Sequence, residues 1–179
     1  YRTDSRVMMI GGYNPVGNNT QDSYFFSLYG GIWGWASWKR AWKSYSLDRA
    51  VWDDAAYRSA ARSAINSGWQ WKIKRWSYEH VFSGKKNTWD YQWEYIRVAQ
   101  NGLSIVPATN LIENIGLGAD STHTAGRTSL YTPSKPLEFP LRHPQNVSVD
   151  RAYDSDFIEL VFGRESLLAK LKRVIGLTP

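Results

Sequence analysis

Short apolar runs and helically spaced apolar positions alternate along the chain. Residues 6–10 (RVMMI), closed by Gly11-Gly12, predict a buried strand, and residues 103–106 (LSIV), closed by Pro107, predict another. Apolar positions three and four residues apart predict a helix over residues 36–45. Asp53 and Asp54 favour the start of a second helix over residues 53–65, and a third is predicted over residues 88–100, ended by Asn101-Gly102. Thr88 is the predicted N-cap of the third helix.

Other stretches are less regular. Ser67-Gly68 predicts the stop of the second helix, and residues 76–82 predict only a further helical turn or two. Residues 120–150 are rich in proline and show little periodicity, so we expect an extended segment on the surface. Residues 165–175 predict an amphipathic helix whose apolar face packs on the domain, with an anionic membrane as the alternative cover.

This alternation of strands and helices indicates an α/β layer structure. Only two or three strands are evident, too few for a complete doubly wound sheet, and we expect the missing strands to precede Tyr1. The division expected is a body over residues 1–135 and, over residues 136–179, an extended tail with the C-terminal helix.

Composition narrows the class of protein. The 179 residues, 42% hydrophobic and 21% charged, suit a globular domain. The absence of cysteine excludes a disulfide scaffold, a thiolate zinc site and a cysteine nucleophile. No apolar run is long enough for a transmembrane helix. A reducing compartment, the cytoplasm, is the simplest location, with peripheral membrane attachment as an addition to it.

Positive charge and tryptophan are concentrated in the first part of the chain. Residues 1–100 carry 14 Lys and Arg against 8 Asp and Glu, whereas residues 101–179 carry eight of each. All ten tryptophans lie between Trp33 and Trp93. This pattern suits an anionic ligand with rings, such as nucleic acid, a nucleotide or a sugar phosphate. The alternative is that the tryptophans fill the core and the cations are merely solvated.

Asp90, in the segment Thr88-Trp89-Asp90-Tyr91-Gln92-Trp93, is the strongest candidate for chemistry. Capping by Thr88 would place Asp90 at the second position of a helix, facing unpaired amides. Flanking tryptophans could stack on sugar rings, and the carboxylate could accept a proton from a sugar hydroxyl. The alternative is an aspartate that only stabilises the start of its helix.

Two further motifs contain potential ligands. His123 follows a polar stretch and could hold a metal or hydrogen-bond a phosphate, although a surface histidine is the simpler interpretation. Asp154-Ser155-Asp156 has the D-x-D form of metal–nucleotide motifs, but it follows no apolar strand. We therefore expect it to be a solvated turn.

Several of these segments together resemble bacterial nucleotide-diphospho-sugar transferases of the GT-A type, often labelled haemolysin-like. The resemblance rests on ordered blocks: Ile10-Gly11-Gly12-Tyr13-Asn14, Tyr24-Phe25-Phe26-Ser27, residues 32–42 (IWGWASWKRAW), residues 88–93 (TWDYQW), Asn101-Gly102-Leu103, Pro107, Asn110-Leu111-Ile112, Asn114-Ile115-Gly116 and His123-Thr124. It covers roughly residues 6–125 and implies the C-terminal portion of a GT-A, Rossmann-like fold. The N-terminal half, with its acidic E-D-D or D-x-D metal motif, is expected upstream of Tyr1.

This resemblance also implies an activity and a site. The activity is inverting transfer of a sugar from a nucleotide-diphosphate sugar, with Mn²⁺ or Mg²⁺, to a carbohydrate or lipid-linked acceptor. Asp90 is the implied base and His123 a late ligand of the metal or the diphosphate. The implied donor-side residues are Gly12 and Asn14. The implied acceptor-side residues are Trp33, Gly34, Trp35, Trp38, Trp89 and Trp93. Without its upstream half the chain is expected to be inactive.

A second hypothesis comes from a different class of protein. The same tryptophans and positive charge would serve a non-catalytic module that binds carbohydrate or nucleic acid. Nucleic-acid binding would depend steeply on salt. The transferase resemblance implies no nucleic-acid partner, so the two hypotheses differ in their ligands.

Overall fold

A mixed four-stranded sheet forms the centre of the protein. The computed structural model describes residues 1–18, 20–115 and 131–163. The strands are β1 (Val7–Gly11), β2 (Tyr24–Ser27), β3 (Trp35–Ser37) and β4 (Leu103–Pro107), in the order β2-β4-β1-β3. The central pair β1 and β4 is parallel, and β2 and β3 are antiparallel edge strands. The fold is therefore mixed α/β, as the alternating pattern predicts.

Six helices occur in the described residues. They are α1 (Lys39–Trp42), α2 (Arg49–Asp53), α3 (Ala55–Ile65), α4 (Gly68–Phe82), α5 (Asp90–Ala99) and α6 (Arg151–Phe162). Asp48, Asp54 and Asp150 cap α2, α3 and α6 through their side chains. None of the helices in this described part has the length and apolar character needed to cross a membrane.

Helices α5 and α6 pack on one face of the sheet. On that face Phe25 of β2 contacts Tyr153 of α6 at 4.6 Å between ring centroids, and Ser104 of β4 accepts a hydrogen bond from Arg97 of α5 at 2.8 Å. The opposite face carries Ile10, Tyr24, Phe26 and Ile105, because side chains alternate along a strand. Here a groove of about 370 Å³ lies between the sheet and residues of the 137–143 segment.

The pattern of residues predicts several elements well. The strands predicted at residues 6–10 and 103–106 are β1 and β4, and the helices predicted at 53–65 and 88–100 contain α3 and α5. Within residues 53–65, Asp54 accepts amide hydrogen bonds from Ala56 and Tyr57, so α2 ends there and α3 begins as a separate helix. Residues 131–150 are mostly exposed and form no helix or strand beyond one bridge at Val149, as expected for a surface segment, and the rest of that segment lies outside the described residues.

The helix predicted over residues 36–45 is wrong in its bounds. Residues 35–37 pair with β1 as the edge strand β3, with Ala36 opposite Ile10, and only the short α1 follows. Pairing with β1 therefore removes residues 36 and 37 from the predicted helix, whereas Ala41 and Trp42 keep helical positions in α1 after its N-cap Trp38.

The helix predicted at residues 76–82 is present, but the predicted length of a turn or two is too short, because α4 has 15 residues and starts at Gly68. Asn66 adopts the left-handed conformation that ends α3, and Ser67 is already the N-cap of α4. Ser67-Gly68 is thus the start of the next helix.

The D-x-D segment is not the solvated turn that we expected. Asp154 and Asp156 lie in α6, with Asp154 buried and Asp156 exposed. The Asp154 carboxylate accepts hydrogen bonds from the Ser27 hydroxyl at 2.5 Å and the Leu28 amide at 3.4 Å. Its role is to join α6 to the end of β2.

Two expectations about the C-terminal part stay predictions. The helix over residues 165–175 lies outside the described residues. The boundary at residue 135 is not tested either, although Ser23 exchanges two hydrogen bonds with Arg142 and Val149 bridges to Phe26. These contacts attach part of the 136–163 segment to β2.

Candidate functional site

Five aromatic side chains from β3, α1, α5 and the residues beside these two helices come together beside the sheet. This tryptophan cluster consists of Trp35, Trp42, Tyr45, Trp89 and Trp93. Trp35 stacks on Trp89 with centroids 5.3 Å apart and lies 6.4 Å from Trp93. Trp42 stacks on Tyr45 at 4.4 Å and lies 5.0 Å from Trp93. Ring contacts therefore link all five side chains into one continuous group.

The cluster has a buried base and an open surface. Trp93 is buried, one helical turn into α5, whereas Trp42 is 39% exposed and Trp89 is 37% exposed. Fixed aromatic faces that reach solvent are common in small-molecule sites, where they offer apolar contact without losing much side-chain entropy. Sugar rings present C–H groups on their flat faces, so this surface can stack against a carbohydrate.

Asp90 stands at the edge of the cluster as the first residue of α5. Its carboxylate accepts a hydrogen bond from the Thr88 hydroxyl and is half-buried. Burial raises the pKa of nearby Tyr45, and the negative charge of Asp90 adds to that effect. An acidic side chain at this position also complements the positive end of the helix dipole.

The predicted capping role of Thr88 is wrong. Trp89 is the N-cap and no side chain caps the first turn, so Asp90 is at the first helical position, one place earlier than expected. The Thr88 hydroxyl donates to Asp90 and caps no backbone amide. Asp90 directly follows Trp89 at the start of α5, so its carboxylate lies beside the cluster.

A carboxylate beside an open aromatic surface can do general-base chemistry. An acceptor sugar stacked on Trp89 or Trp42 would present hydroxyls near Asp90, and the carboxylate could accept a proton from one of them. The same geometry could bind a sugar without reaction. Both uses need the exposed rings, and only the first needs the charge.

The structure places the other predicted acceptor residues outside the cluster. Trp33 packs on Tyr13 at 4.4 Å, and Trp38 is the N-cap of α1 with the Arg40 guanidinium 4.8 Å from its ring. Gly34 has φ of 57° and lies against Ile112. An acceptor role for these three residues remains a prediction.

The predicted donor-side residues Gly12 and Asn14 hold the loop after β1 together. The Asn14 amide nitrogen donates to the carbonyls of Pro107 at 2.7 Å and Ala108 at 3.3 Å. A Cβ on Gly12 would lie 2.6 Å from Cγ1 of Ile112. The loop contacts of both residues are structural, and their donor role remains a prediction.

No group of three or more potential metal-ligating side chains occurs within residues 1–18, 20–115 and 131–163. His123, the predicted late ligand, lies outside these ranges. The described residues therefore do not fit a divalent metal site by themselves. Proton transfer to the Asp90 carboxylate is a separate matter, since it needs only the carboxylate and a hydroxyl within hydrogen-bond reach.

Two members of the cluster, Trp42 and Tyr45, were not among the predicted site residues. Their spacing from Trp38 indicated a shared helix face, which is a packing signal as much as a binding signal. Only the tertiary contact of α1 with α5 distinguishes them as part of the site. No family model, curated protein or solved structure matches the chain, so the geometry and the resemblance must support the function by themselves.

Proposed function

We propose that the chain is the acceptor-side part of a GT-A-type glycosyltransferase domain. In this proposal it transfers a sugar from a nucleotide-diphosphate sugar to an acceptor hydroxyl, with inversion at the anomeric carbon. The single observation that supports it best is the position of Asp90 beside the exposed rings of the tryptophan cluster. The ordered blocks that resemble such transferases suggest the class of reaction, and the tryptophan cluster is the proposed binding position of the acceptor.

Asp90 acts as the general base in this mechanism. The acceptor oxygen bonds to the anomeric carbon while the bond to the diphosphate oxygen breaks and its electron pair leaves with the nucleotide. The proton of the acceptor hydroxyl passes to the Asp90 carboxylate. Trp89 and Trp42 hold the acceptor ring so that this hydroxyl faces the carboxylate, which lowers the entropic part of the barrier.

Residues outside the described ranges would hold the diphosphate and its Mn²⁺ or Mg²⁺, which would neutralise charge on the leaving group. His123 is the proposed ligand from this chain. Acceptors would be carbohydrates or lipid-linked sugars, and the proposed location is cytoplasmic.

A non-catalytic carbohydrate-binding module is the second candidate. It is favoured by the hydrogen bond from Thr88 to Asp90, since that bond and the helix start give the carboxylate a structural role without any reaction. The two candidates share the tryptophan cluster and differ in whether the charge of Asp90 is needed.

The proposal is tested by a transfer assay on the natural full-length protein. Nucleotide-diphosphate sugars are supplied one by one with Mn²⁺ and a mixture of soluble acceptors, and release of nucleotide diphosphate is followed. We expect one donor to be turned over, and Trp89→Ala to raise the acceptor KM at least ~10-fold. Trp69→Ala, at another exposed tryptophan, is the matched control and should leave KM unchanged. Acceptor binding without turnover of any donor would favour the second candidate.

A further inference from the structure

The outward face of α4 differs from the solvent face of an ordinary helix. Its exposed positions follow helical spacing and are Gly68, Trp69, Lys72, Arg75, Trp76 and Glu79. Trp69 is 42% exposed and Trp76 is 53% exposed. Large aromatic side chains on a solvent face lose the favourable free energy of burial, so two on one helix face require an explanation.

The geometry of the face is linear and fixed. Trp69 and Trp76 are seven residues apart, which is about two turns or 10.5 Å along the axis, so both lie on the same side of the helix. The Trp76 ring packs on His80 at 3.9 Å, and His80 Nδ1 lies 2.8 Å from the Trp76 carbonyl oxygen. The opposite side of α4, which includes Ile73 and Tyr78, is buried. This burial fixes which side of the helix faces solvent.

The charge around the two tryptophans is mainly positive. Lys72 and Arg75 lie between them, and Lys85 follows in the exposed loop after the helix. Glu79 is the acidic residue of this face. The two cations of this face complement an anionic surface, and the two tryptophans require that this surface also accept apolar rings.

We propose that the outer face of α4 is a peripheral docking surface for anionic phospholipid membranes. Tryptophan rings favour the headgroup level of a bilayer, and lysine and arginine beside them attract anionic lipids. A protein partner could also use the tryptophans and Arg75, but Lys72 between them disfavours it, because lysine is depleted at the centres of protein interfaces. The inference goes beyond the proposed transferase activity and depends on none of its residues.

The proposal is tested by co-sedimentation of the purified protein with phosphatidylcholine vesicles that do or do not contain phosphatidylglycerol. We expect binding to the anionic vesicles only, weakened by added salt. Trp69→Ser/Trp76→Ser and Lys72→Gln/Arg75→Gln should each lower the vesicle affinity at least ~10-fold, because each removes one of the two contributions. Melting temperatures establish that the variants are folded.

Matched controls alter exposed residues elsewhere. Leu47→Ser removes an apolar side chain and Lys39→Gln/Lys135→Gln removes two charges, and both should bind vesicles like the wild type. The proposal is overturned if the wild-type protein ignores anionic vesicles or if the α4 variants bind as the wild type does. It is also overturned if the α4 face binds single-stranded RNA in place of vesicles.

Discussion

At the scale of single residues, Asp154 carries the clearest electrostatic signature. Its carboxyl group is buried between α6 and the end of β2, and burial raises its pKa to about 7, against the opposing effect of the Ser27 and Leu28 hydrogen bonds. Arg151 lowers the pKa and Asp150 raises it, each by charge. The folded protein therefore keeps a proton here that the unfolded chain releases near its ordinary pKa of 3.8.

This difference predicts a loss of stability as pH rises. The folded state binds a proton at Asp154 that the unfolded state has released. The contribution of this proton to the free energy of unfolding is therefore complete below about pH 4 and is lost as pH rises through 7, by up to ~4 kcal/mol. Asp154→Asn stays neutral and can still accept the Ser27 hydrogen bond. We expect its free energy of unfolding, measured in urea from pH 5 to 8, to decline less than that of the wild type.

Asp156→Asn is the control, because it removes an exposed carboxylate from the same helix and should leave the slope with pH unchanged. Equal slopes for wild type and Asp154→Asn would show that Asp154 is ionised in the folded state. The buried position of Asp154 could not be foreseen from the sequence. The D-x-D pattern alone does not show that Ser27, 127 residues away in the chain, supplies a hydrogen bond.

Gly12 provides a second prediction at this scale. A Cβ there would meet Cγ1 of Ile112 at 2.6 Å and the Gly34 carbonyl oxygen at 3.0 Å. Gly12→Ala is expected to lower the free energy of unfolding by about 1–3 kcal/mol, as overpacking does. Ile112→Ala removes the colliding atom, so the double variant should recover part of that loss in thermal unfolding. Non-recovery would mean that the backbone contact dominates.

At the scale of elements, a buried ion pair joins α4 to α5. Lys74 Nζ lies 2.7 Å from Glu94 Oε1, which also accepts a hydrogen bond from the Tyr78 hydroxyl at 2.8 Å. The ammonium group also lies 4.6 Å from the Tyr29 ring centre. Removing one partner of such a pair leaves a charge that burial disfavours.

Lys74→Met should therefore destabilise the protein by about 3 kcal/mol, and Lys74→Met/Glu94→Gln should recover at least half of that loss. Urea unfolding of the single and double variants measures both values. Arg49→Met, which breaks the exposed pair with Asp53, is the control and should change stability by less than about 1 kcal/mol. A double variant as unstable as the single one would contradict this account.

Helices and strands could be predicted where the local sequence pattern agrees with the position of the element in the fold. The apolar runs of β1 and β4 occupy the centre of the sheet, and α5 has both a periodic apolar face and a clear end at Asn101-Gly102. In α4, by contrast, Trp71 packs partly buried against the core while Trp69 and Trp76 are exposed, which weakens the periodicity. The strand β3 is short and exists through its pairing with β1, so no local signal marks it.

At the scale of the whole molecule, the sheet separates two surfaces. Trp35, Trp89 and Asp90 lie on the side that carries the helices, whereas the groove beside Ile10 and Ile105 lies on the other. The sequence placed Asp90 near tryptophans because Trp89 and Trp93 are its neighbours. It could not show that β3 and α1 complete the cluster, since those contacts depend on how the sheet is assembled.

The most direct test of the account is the turnover of Asp90→Asn in the natural full-length protein. The substitution keeps the size of the side chain and removes its ability to accept a proton. We expect kcat to fall at least ~10²-fold while the Kd of the donor stays unchanged. Thr88→Val, which removes the hydrogen bond and keeps the carboxylate, should retain most of the turnover. If Asp90→Asn keeps more than about a third of the wild-type kcat, Asp90 only stabilises the start of α5, and the proposed mechanism is wrong.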